Sequence, residues 1–498
     1  MAFEKKQHDI VLVEPPNKYI VERYDQPNFP AIGVAYIGNY LQTSLGITPA
    51  IIDAKLGRMT IDQTIDQILA LKPKIVGLSA MTHIVKTAGY IAEQIKKKSP
   101  NIITVLGGFH ATFLPEQTLN ELPGIDFVSV GEGEICWSKF ADSILNNQGG
   151  TENIKGLWYR KNGKVVDMGR GEIPKTLDEL GEPGWHLFDQ EVIHKYAGDI
   201  PLIGMRGCPF TCNFCSRPYG RTVRLRTPKL IVDEIEKNQK KYNISYFDFW
   251  DETFTVNKKH TQELCKEIIK RKLNIEFFCQ THANTFDLET AEIMKEAGCN
   301  YAGLGVESGN DEILRKMGKA AKKENIISAR NILKKVGIRT CCFLIMGHPN
   351  ETYKTLLETI KFAAQVNCEE TAIGIMVPYP GTEIYEMALK GEGGYVKMSF
   401  NWDDYNKQMG NAVALKNISR RQLELFQLAA YFWLYVVNGR WKDIYKMVTK
   451  SGNGEEKIWK LIVSIFMKII DPSQRFTKKW FSNDKKAKAI HNHQNQIS

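Results

Sequence analysis

Three cysteines, Cys208, Cys212 and Cys215, stand within eight residues in the stretch Arg206-Gly-Cys-Pro-Phe-Thr-Cys-Asn-Phe-Cys215. Thiolates are soft ligands suited to iron–sulfur clusters and to zinc. A C-x3-C-x2-C loop supplies three of them and no fourth, so a [4Fe–4S] cluster held here keeps one iron open to a ligand that is not protein. The competing reading is a zinc site completed by a histidine such as His186 or His194. Structural zinc sites favour two short paired arms, and no second arm follows the triplet.

A loop of this kind needs a rigid element behind it. The triplet directly follows Pro201 to Met205, the first of six apolar runs; the others are Tyr246 to Trp250, Ile275 to Cys279, Tyr301 to Val306, Thr340 to Met346 and Thr371 to Met376. Helical patterns such as Pro228 to Tyr242 and Asn325 to Val336 separate them. Six strand–helix units joined by right-handed crossovers curl into a partial barrel, which predicts a (β/α)6 domain over residues 200–390 with its working residues at the carboxyl ends of the strands. Those ends carry Asp251 and Glu252, then Gln280 before Thr281 and His282, then Glu307 and Ser308, then Gly347-His348-Pro349-Asn350-Glu351-Thr352. Taken singly, a strand-end acid serves as a helix cap or a solvated group as often as it meets a ligand.

Upstream, residues 1–150 also alternate short β-branched runs with helical patterns, from Ile10 to Val13 through Asp126 to Val130. Such alternation predicts an α/β, doubly wound parallel sheet of flavodoxin-like type, with a ligand crevice outside the carboxyl ends of its strands. The loops there contain Ser79 and Thr82, Gly107, Gly108 and His110, and Gly131-Glu132-Gly133-Glu134; glycine lets backbone approach a ligand closely. Residues 151–199 read as a connector with a hairpin turning at Asn162-Gly163. Residues 391–498 read as a helical, basic C-terminal region, in which Ile458 to Ile470 is apolar nearly all round and precedes a run of lysines.

With 43% hydrophobic and 24% charged residues, the chain of 498 residues has an ordinary globular composition. Its ten cysteines come with no apolar leader at the start, which points to a reducing cytoplasm and to a metal before a disulfide. The seven cysteines outside the triplet fall on apolar patterns and are expected in the core. The formal net charge of +10 is spread along the chain, and no nucleic acid partner is expected. No apolar run approaches the ~20 residues of a membrane span. The apolar, basic C-terminal helices leave room for peripheral membrane contact.

The triplet, including the aromatic Phe214 before its last cysteine, resembles the signature of the radical S-adenosylmethionine (SAM) superfamily. That resemblance implies that SAM chelates the open iron and is cleaved reductively to a 5′-deoxyadenosyl radical, with Cys208, Cys212 and Cys215 as cluster ligands. It further implies SAM contacts from Phe214, Asp251, Glu252, Gln280, Glu307 and Ser308, Glu307 lying in a segment like the family's G-x-E. Gly107-Gly108-x-His110-Ala111-Thr112, Asp126 with Gly131 to Glu134, and Pro378-Tyr-Pro-Gly-Thr382 make the chain similar to the group with an N-terminal cobalamin-binding domain. Those features imply cobalamin held by Ser79, Thr82, Gly107, Gly108, His110, Gly131, Glu132 and Gly133.

The resemblance covers roughly residues 8–390. No histidine has an aspartate two residues before it, so the D-x-H-x-x-G motif that supplies a lower ligand to cobalamin is absent. At Gly347-His348-Pro349-Asn350 the group often carries a small apolar residue and a glycine around the proline. Methylation of an unactivated carbon of an organic metabolite is the expected reaction. Oxidative cyclisation or rearrangement of a tetrapyrrole or lipid-like substrate is the alternative, and an iron–sulfur electron carrier a third. A small electron donor such as flavodoxin or ferredoxin is the expected partner.

Overall fold

Short β-branched runs become strands and the 3.6-periodic segments between them become helices, in a computed structural model that describes residues 7–17, 27–406 and 411–440. The apolar segment Ile458 to Ile470 and the lysines after it lie outside the described residues. Met1–Ala430 form one unit; of the second, Tyr431–Ser498, only residues 431–440 are described.

The first sheet contains β1 (Ile10–Glu14), β2 (Ala50–Asp53), β3 (Ile75–Ser79), β4 (Ile103–Gly107), β5 (Phe127–Ser129), β6 (Leu157–Lys161) and β7 (Lys164–Val166) in the order β2-β1-β3-β4-β5-β6-β7. Its helices are α1 (Ile32–Leu45), α2 (Ile61–Ala70), α3 (Val85–Lys98), α4 (Phe109–Phe113), α5 (Pro115–Glu121) and α6 (Gly133–Leu145). β1 to β5 pair in parallel, and the apolar residues of β1 are fully buried, as a sheet covered on both faces requires. Thr60 and Gln63 cap α2 reciprocally, which fixes where that helix starts. The hairpin expected within the connector is present and also extends the sheet: β6 pairs antiparallel with β5 and β7 with β6.

After α7 (Gln190–Tyr196), the second sheet is built from β8 (Ile200–Leu202), β11 (Tyr246–Phe249), β12 (Glu276–Thr281), β13 (Cys299–Glu307), β14 (Arg339–Met346) and β15 (Glu370–Ile375). All are parallel and in sequential order, as a partial barrel demands. A separate two-stranded ribbon, β9 (Met205–Arg206) and β10 (Arg224–Leu225), brackets the cysteine loop. Helices α8 (Pro228–Tyr242), α9 (Lys258–Lys270), α10 (Leu288–Glu296), α11 (Asp311–Lys316), α12 (Lys323–Val336), α13 (Tyr353–Val366) and α14 (Glu383–Lys390) complete the units. An antiparallel pair, β16 (Tyr395–Met398) with β17 (Val413–Leu415), then leads into α15 (Arg420–Val437).

The segment after the last barrel strand packs into the core of the first sheet. Val377, Tyr385, Trp402, Tyr405 and Ala412 belong to the same buried cluster as Val11, Val76, Leu78 and Leu106 of the first sheet. Contact is closest at Gly381 (φ +79°), where an added Cβ would sit 2.0 Å from the Phe113 ring. Cys342 and Cys368 are core residues that are also joined by a disulfide, with Cα atoms 6.0 Å apart; the sequence reading expected only core thiols there. No helix among the described residues is long and apolar enough to cross a membrane.

Gly381→Ala combines left-handed backbone strain with a collision against an aromatic ring. It is expected to lower the unfolding free energy by about 2–4 kcal/mol, read by denaturant titration against the wild type.

Candidate active site

The cysteine loop is fixed from several sides. Gly207 adopts φ +98°, and a Cβ there would lie 2.2 Å from the Thr222 carbonyl oxygen, so only glycine fits directly before Cys208. Cys208 N–H donates to Gly220 O at 3.2 Å. Arg217 donates to Phe210 O at 2.7 Å, and Arg221 to Pro209 O at 3.3 Å. From the segment after α11, Met317 O accepts from Asn213 N–H at 2.9 Å and Lys316 O from the Asn213 side chain at 2.9 Å. Burial pushes the Cys212 thiol up, whereas Cys215 stands exposed.

The donor chemistry of this loop fits an iron–sulfur cluster. Among the described residues no three His, Cys, Asp or Glu side chains, the three cysteines included, are grouped as a single metal ion requires. The two histidines considered for zinc are engaged elsewhere: His186 bonds to Gln42 at 2.6 Å, and the His194 ring lies 5.9 Å from that of Tyr242.

The acids after β11 support the loop through its backbone. Asp251, buried, accepts from Gly204 N–H at 2.7 Å and Met205 N–H at 3.0 Å; burial raises it to about 7. Glu252 accepts from Gly207 N–H at 3.2 Å. Both were expected at SAM; in the structure both brace the turn that presents Cys208. Gln280 stands exposed at the end of β12. Ser308 is fully buried, with its hydroxyl 3.2 Å from Thr359 Oγ1 and accepting from Asn310 N–H, so it closes the turn after β13 and is not presented to a ligand. Glu307 differs from these. The β13–β14 register shifts between Gly305 and Glu307, Glu307 takes φ +60°, and its carboxylate meets Lys319 Nζ at 3.2 Å in a buried ion pair. A Cβ on Gly305 would lie 2.6 Å from both charged atoms, so the pair packs directly on the β13 backbone.

Phe214 lies 6.3 Å, centroid to centroid, from the ring of His348. His348 is buried, and burial takes its pKa to about 3, partly opposed by a hydrogen bond with the Ile345 backbone. Beside it Glu351, 1% exposed, accepts from Gly347 N–H at 2.5 Å and His348 N–H at 3.1 Å; burial raises it to about 7.

At the first sheet, Gly107 ends β4, and Gly108 (φ +95°) lies so close to the β3 end that a Cβ would stand 2.6 Å from Ala80 O. Ser79 ends β3 and bonds to the Glu14 carboxyl, while Thr82 is buried in the turn that follows. Gly131 (φ +94°) donates its N–H to Thr112 Oγ1 at 3.1 Å, and Gly133 packs against Ile37, 2.8 Å from where its Cβ would be. At Gly108 and Gly133 the absence of a side chain lets the strand-end loops pack closely on Ala80 and Ile37. His110, expected at cobalamin, is 1% exposed and lies edge-on to Trp402 with ring centroids 4.7 Å apart. Trp402 in turn donates to Glu121 at 2.6 Å. The segment after the barrel therefore covers this histidine, which no spacing in the sequence announces.

Glu132 also has an unexpected partner. It accepts from Arg206 at 2.7 Å and from Arg224, while Glu134 accepts from the same Arg206 guanidinium at 2.6 Å. Arg206 is 3% exposed and lies against the Tyr36 and Tyr219 rings, 5.1 and 4.9 Å from their centroids. Burial opposes its charge, and Glu134, Tyr219 and Glu132 more than offset that, holding its pKa well above the usual value. The loop after β5 is thereby clamped to the residue that precedes Gly207 and Cys208. Sequence reasoning missed Arg206, although its place beside the triplet was a signal, and it missed Lys319 altogether.

The Radical SAM superfamily profile matches residues 202–363, and the B12 binding domain profile residues 25–138. An uncharacterized methyltransferase of Pyrococcus horikoshii is 31% identical over 433 residues, spanning 86% of this chain and 92% of that protein. The anaerobic magnesium-protoporphyrin IX monomethyl ester cyclase of Rubrivivax gelatinosus is 32% identical over 391 residues, 76% of this chain and 69% of the cyclase. Among solved structures, the cobalamin-dependent S-adenosylmethionine radical enzyme OxsB superposes with a TM-score of 0.72 at 20% identity, covering 99% of this chain and 75% of OxsB. The radical S-adenosylmethionine methyltransferase TsrM from Kitasatospora setae superposes at 0.67 and 18% identity, covering 85% and 88%. Both share the fold.

Two outcomes follow from the buried charges. Arg206→Met leaves the buried Glu134 carboxylate without its guanidinium and Glu132 with Arg224 alone, and is expected to cost about 3–5 kcal/mol, with a parallel drop in iron retained after reconstitution; unfolding titrations and iron assays read both. For Glu351, a native pKa of about 7 against the usual 4.5 means that the folded chain keeps a proton the unfolded chain releases. Its ionisation therefore erodes stability as pH rises from about 4.5 to about 7 and has no further effect above that. Relative to wild type, Glu351→Gln should gain stability across that window by at most about 1.4 kcal/mol per pH unit, in thermal or urea unfolding run as a pH series.

Proposed function

From the chain's membership of the radical SAM superfamily, in the group that joins a B12 binding domain to the radical SAM barrel, we propose that this enzyme methylates an unactivated carbon of an organic metabolite. It is a cobalamin-binding radical SAM enzyme using a [4Fe–4S] cluster and SAM. When bound, the cluster and SAM supply a 5′-deoxyadenosyl radical that takes a hydrogen atom from substrate, and cobalamin supplies the methyl group.

The observation that carries the reading is the clamp of Glu132 and Glu134 on Arg206, because it holds the loop after β5 against the loop that carries Cys208, Cys212 and Cys215. In this reading the three thiolates hold the cluster and leave one iron open. Glu307 and Lys319 present opposite charges to the zwitterionic amino-acid end of SAM, and Phe214 borders its adenine. Ser79, Thr82, Gly107, Gly108, Gly131 and Gly133 shape the floor for cobalamin. Glu132, Asp251, Glu252, His110 and Ser308 act as positioning residues.

A second reading, oxidative cyclisation of a tetrapyrrole-like substrate, is favoured by the 32% identity to the Rubrivivax gelatinosus cyclase. Products separate the two. Anaerobically reconstituted protein given reductant, SAM, cobalamin and substrate extract is expected to form S-adenosylhomocysteine alongside 5′-deoxyadenosine. Deoxyadenosine alone would favour cyclisation, and neither product would remove both readings. Cys212→Ala is expected to abolish both products together with the four-iron absorbance, a loss of at least about 1000-fold in turnover of the kind seen when a required catalytic group is removed.

A further inference from the structure

His282, at the end of β12, is a buried imidazole whose proton position is fixed and whose donor has nothing to bond. Its Nδ1 accepts from Asn284 N–H at 3.3 Å, so in the neutral ring the proton sits on Nε2. Nε2 has no partner, and the residue is 4% exposed. The imidazole stacks flat on Phe210, with centroids 3.9 Å apart and planes 16° from parallel. Phe210 lies between Cys208 and Cys212, so the ring is carried by the cluster loop itself. Burial, helped by the nearby Lys319 charge, lowers the pKa to about 3 and keeps the ring neutral.

The surroundings are built and not incidental. Asn284 donates its side-chain N–H to Ala320 O at 2.5 Å, which ties the turn after His282 to the segment that carries Lys319. In the same segment Gly318 (φ +66°) packs on Thr211, 2.6 Å from Thr211 O to where a Cβ would stand. Phe210, Thr211, His282 and Lys319 are thus held as one group. The charges facing the ring are the Lys319 ammonium and, paired with it at 3.2 Å, the Glu307 carboxylate. A buried N–H left without an acceptor costs roughly 1–3 kcal/mol, and a cation beside it favours an electron-rich acceptor.

We propose that His282 Nε2–H donates a hydrogen bond to an acceptor of the cofactor assembly on the cysteine loop, either a cluster sulfur or the SAM carboxylate. This rests on the cluster reading given above. A donor to sulfur stabilises the more negative reduced cluster and raises its potential; a donor to carboxylate tightens SAM. His282 is then a positioning and tuning residue, and its contribution shows without turnover.

The test compares wild type, His282→Phe, which keeps the stack and removes the N–H, and His282→Gln, which restores a donor. Iron and sulfide content and four-iron absorbance are measured first: a wild type that loads no cluster refutes the cluster reading itself. In loaded protein, the expected result for His282→Phe is at least a tenfold loss in one of two quantities, with His282→Gln recovering most of it. If the loss is in the reduction equilibrium, a fall of about 59 mV for one electron, the acceptor is cluster sulfur. If it is in SAM affinity, followed as the change in the reduced cluster's paramagnetic resonance signal, the acceptor is the carboxylate. His282→Leu repeats the comparison should phenylalanine disturb loading. A loaded apolar variant with unchanged potential and unchanged SAM affinity overturns the proposal.

Discussion

Arg206 carries a full charge where its side chain is only 4% exposed, and the cysteine loop begins from it. Moving a guanidinium out of water costs several kcal/mol even after relaxation, and only well-placed partners repay that. Glu132 and Glu134 provide them from the loop after β5, and Arg224 shares Glu132, so two cations and two anions close a neutral network. The electrostatic condition is also a positional one. Any shift of the first sheet's loop relative to the cluster loop would strand buried charge. Two apolar contacts reinforce the same junction: Gly381 against Phe113, and Trp402 over His110.

Around that junction the chain spends its strand-end carboxylates on backbone. Asp251 and Glu252 collect the N–H groups of Gly204, Met205 and Gly207, which would otherwise be unpaired in a turn too tight for any residue but glycine at 207. Glu351 does the same for Gly347 and His348. Left-handed backbone flanks the site at Gly207, where glycine adopts it freely, and at Glu307 beside a register shift. Glu307, in contrast to those acids, spends its carboxylate on a side chain, the buried ammonium of Lys319 at 3.2 Å.

Much of this was legible in the sequence. Strands of period two alternating with helices of period 3.6 mark both sheets, and most strand limits differ from the expected ones by one or two residues because the apolar runs coincide with the buried spans; the run Pro201 to Met205 is the exception, split into β8, which ends at Leu202, and β9, which pairs with β10. The cysteine spacing is a local signal and survives folding unchanged. Destinations of side chains are not local. Glu132 reaches Arg206 across 74 positions and Glu121 reaches Trp402 across 281, distances at which spacing carries no information. For that reason Glu132 and His110 were expected at a ligand, whereas one serves the junction and the other is covered. The hairpin at Asn162-Gly163 was readable as a hairpin, but its pairing with β5 was not, since an edge strand's partner depends on which edge remains open.

The Arg206 junction holds the loop after β5 against the cysteine loop, which in the proposed reading brings the cobalamin and cluster sites together. That closeness is tested most directly by paramagnetic resonance on holoenzyme carrying both the reduced four-iron cluster and cob(II)alamin. The account predicts two spins close enough to interact, seen as broadened or split cob(II)alamin lines and faster relaxation that vanish when the cluster is left oxidised. Two independent, unperturbed signals at full occupancy of both cofactors would contradict it.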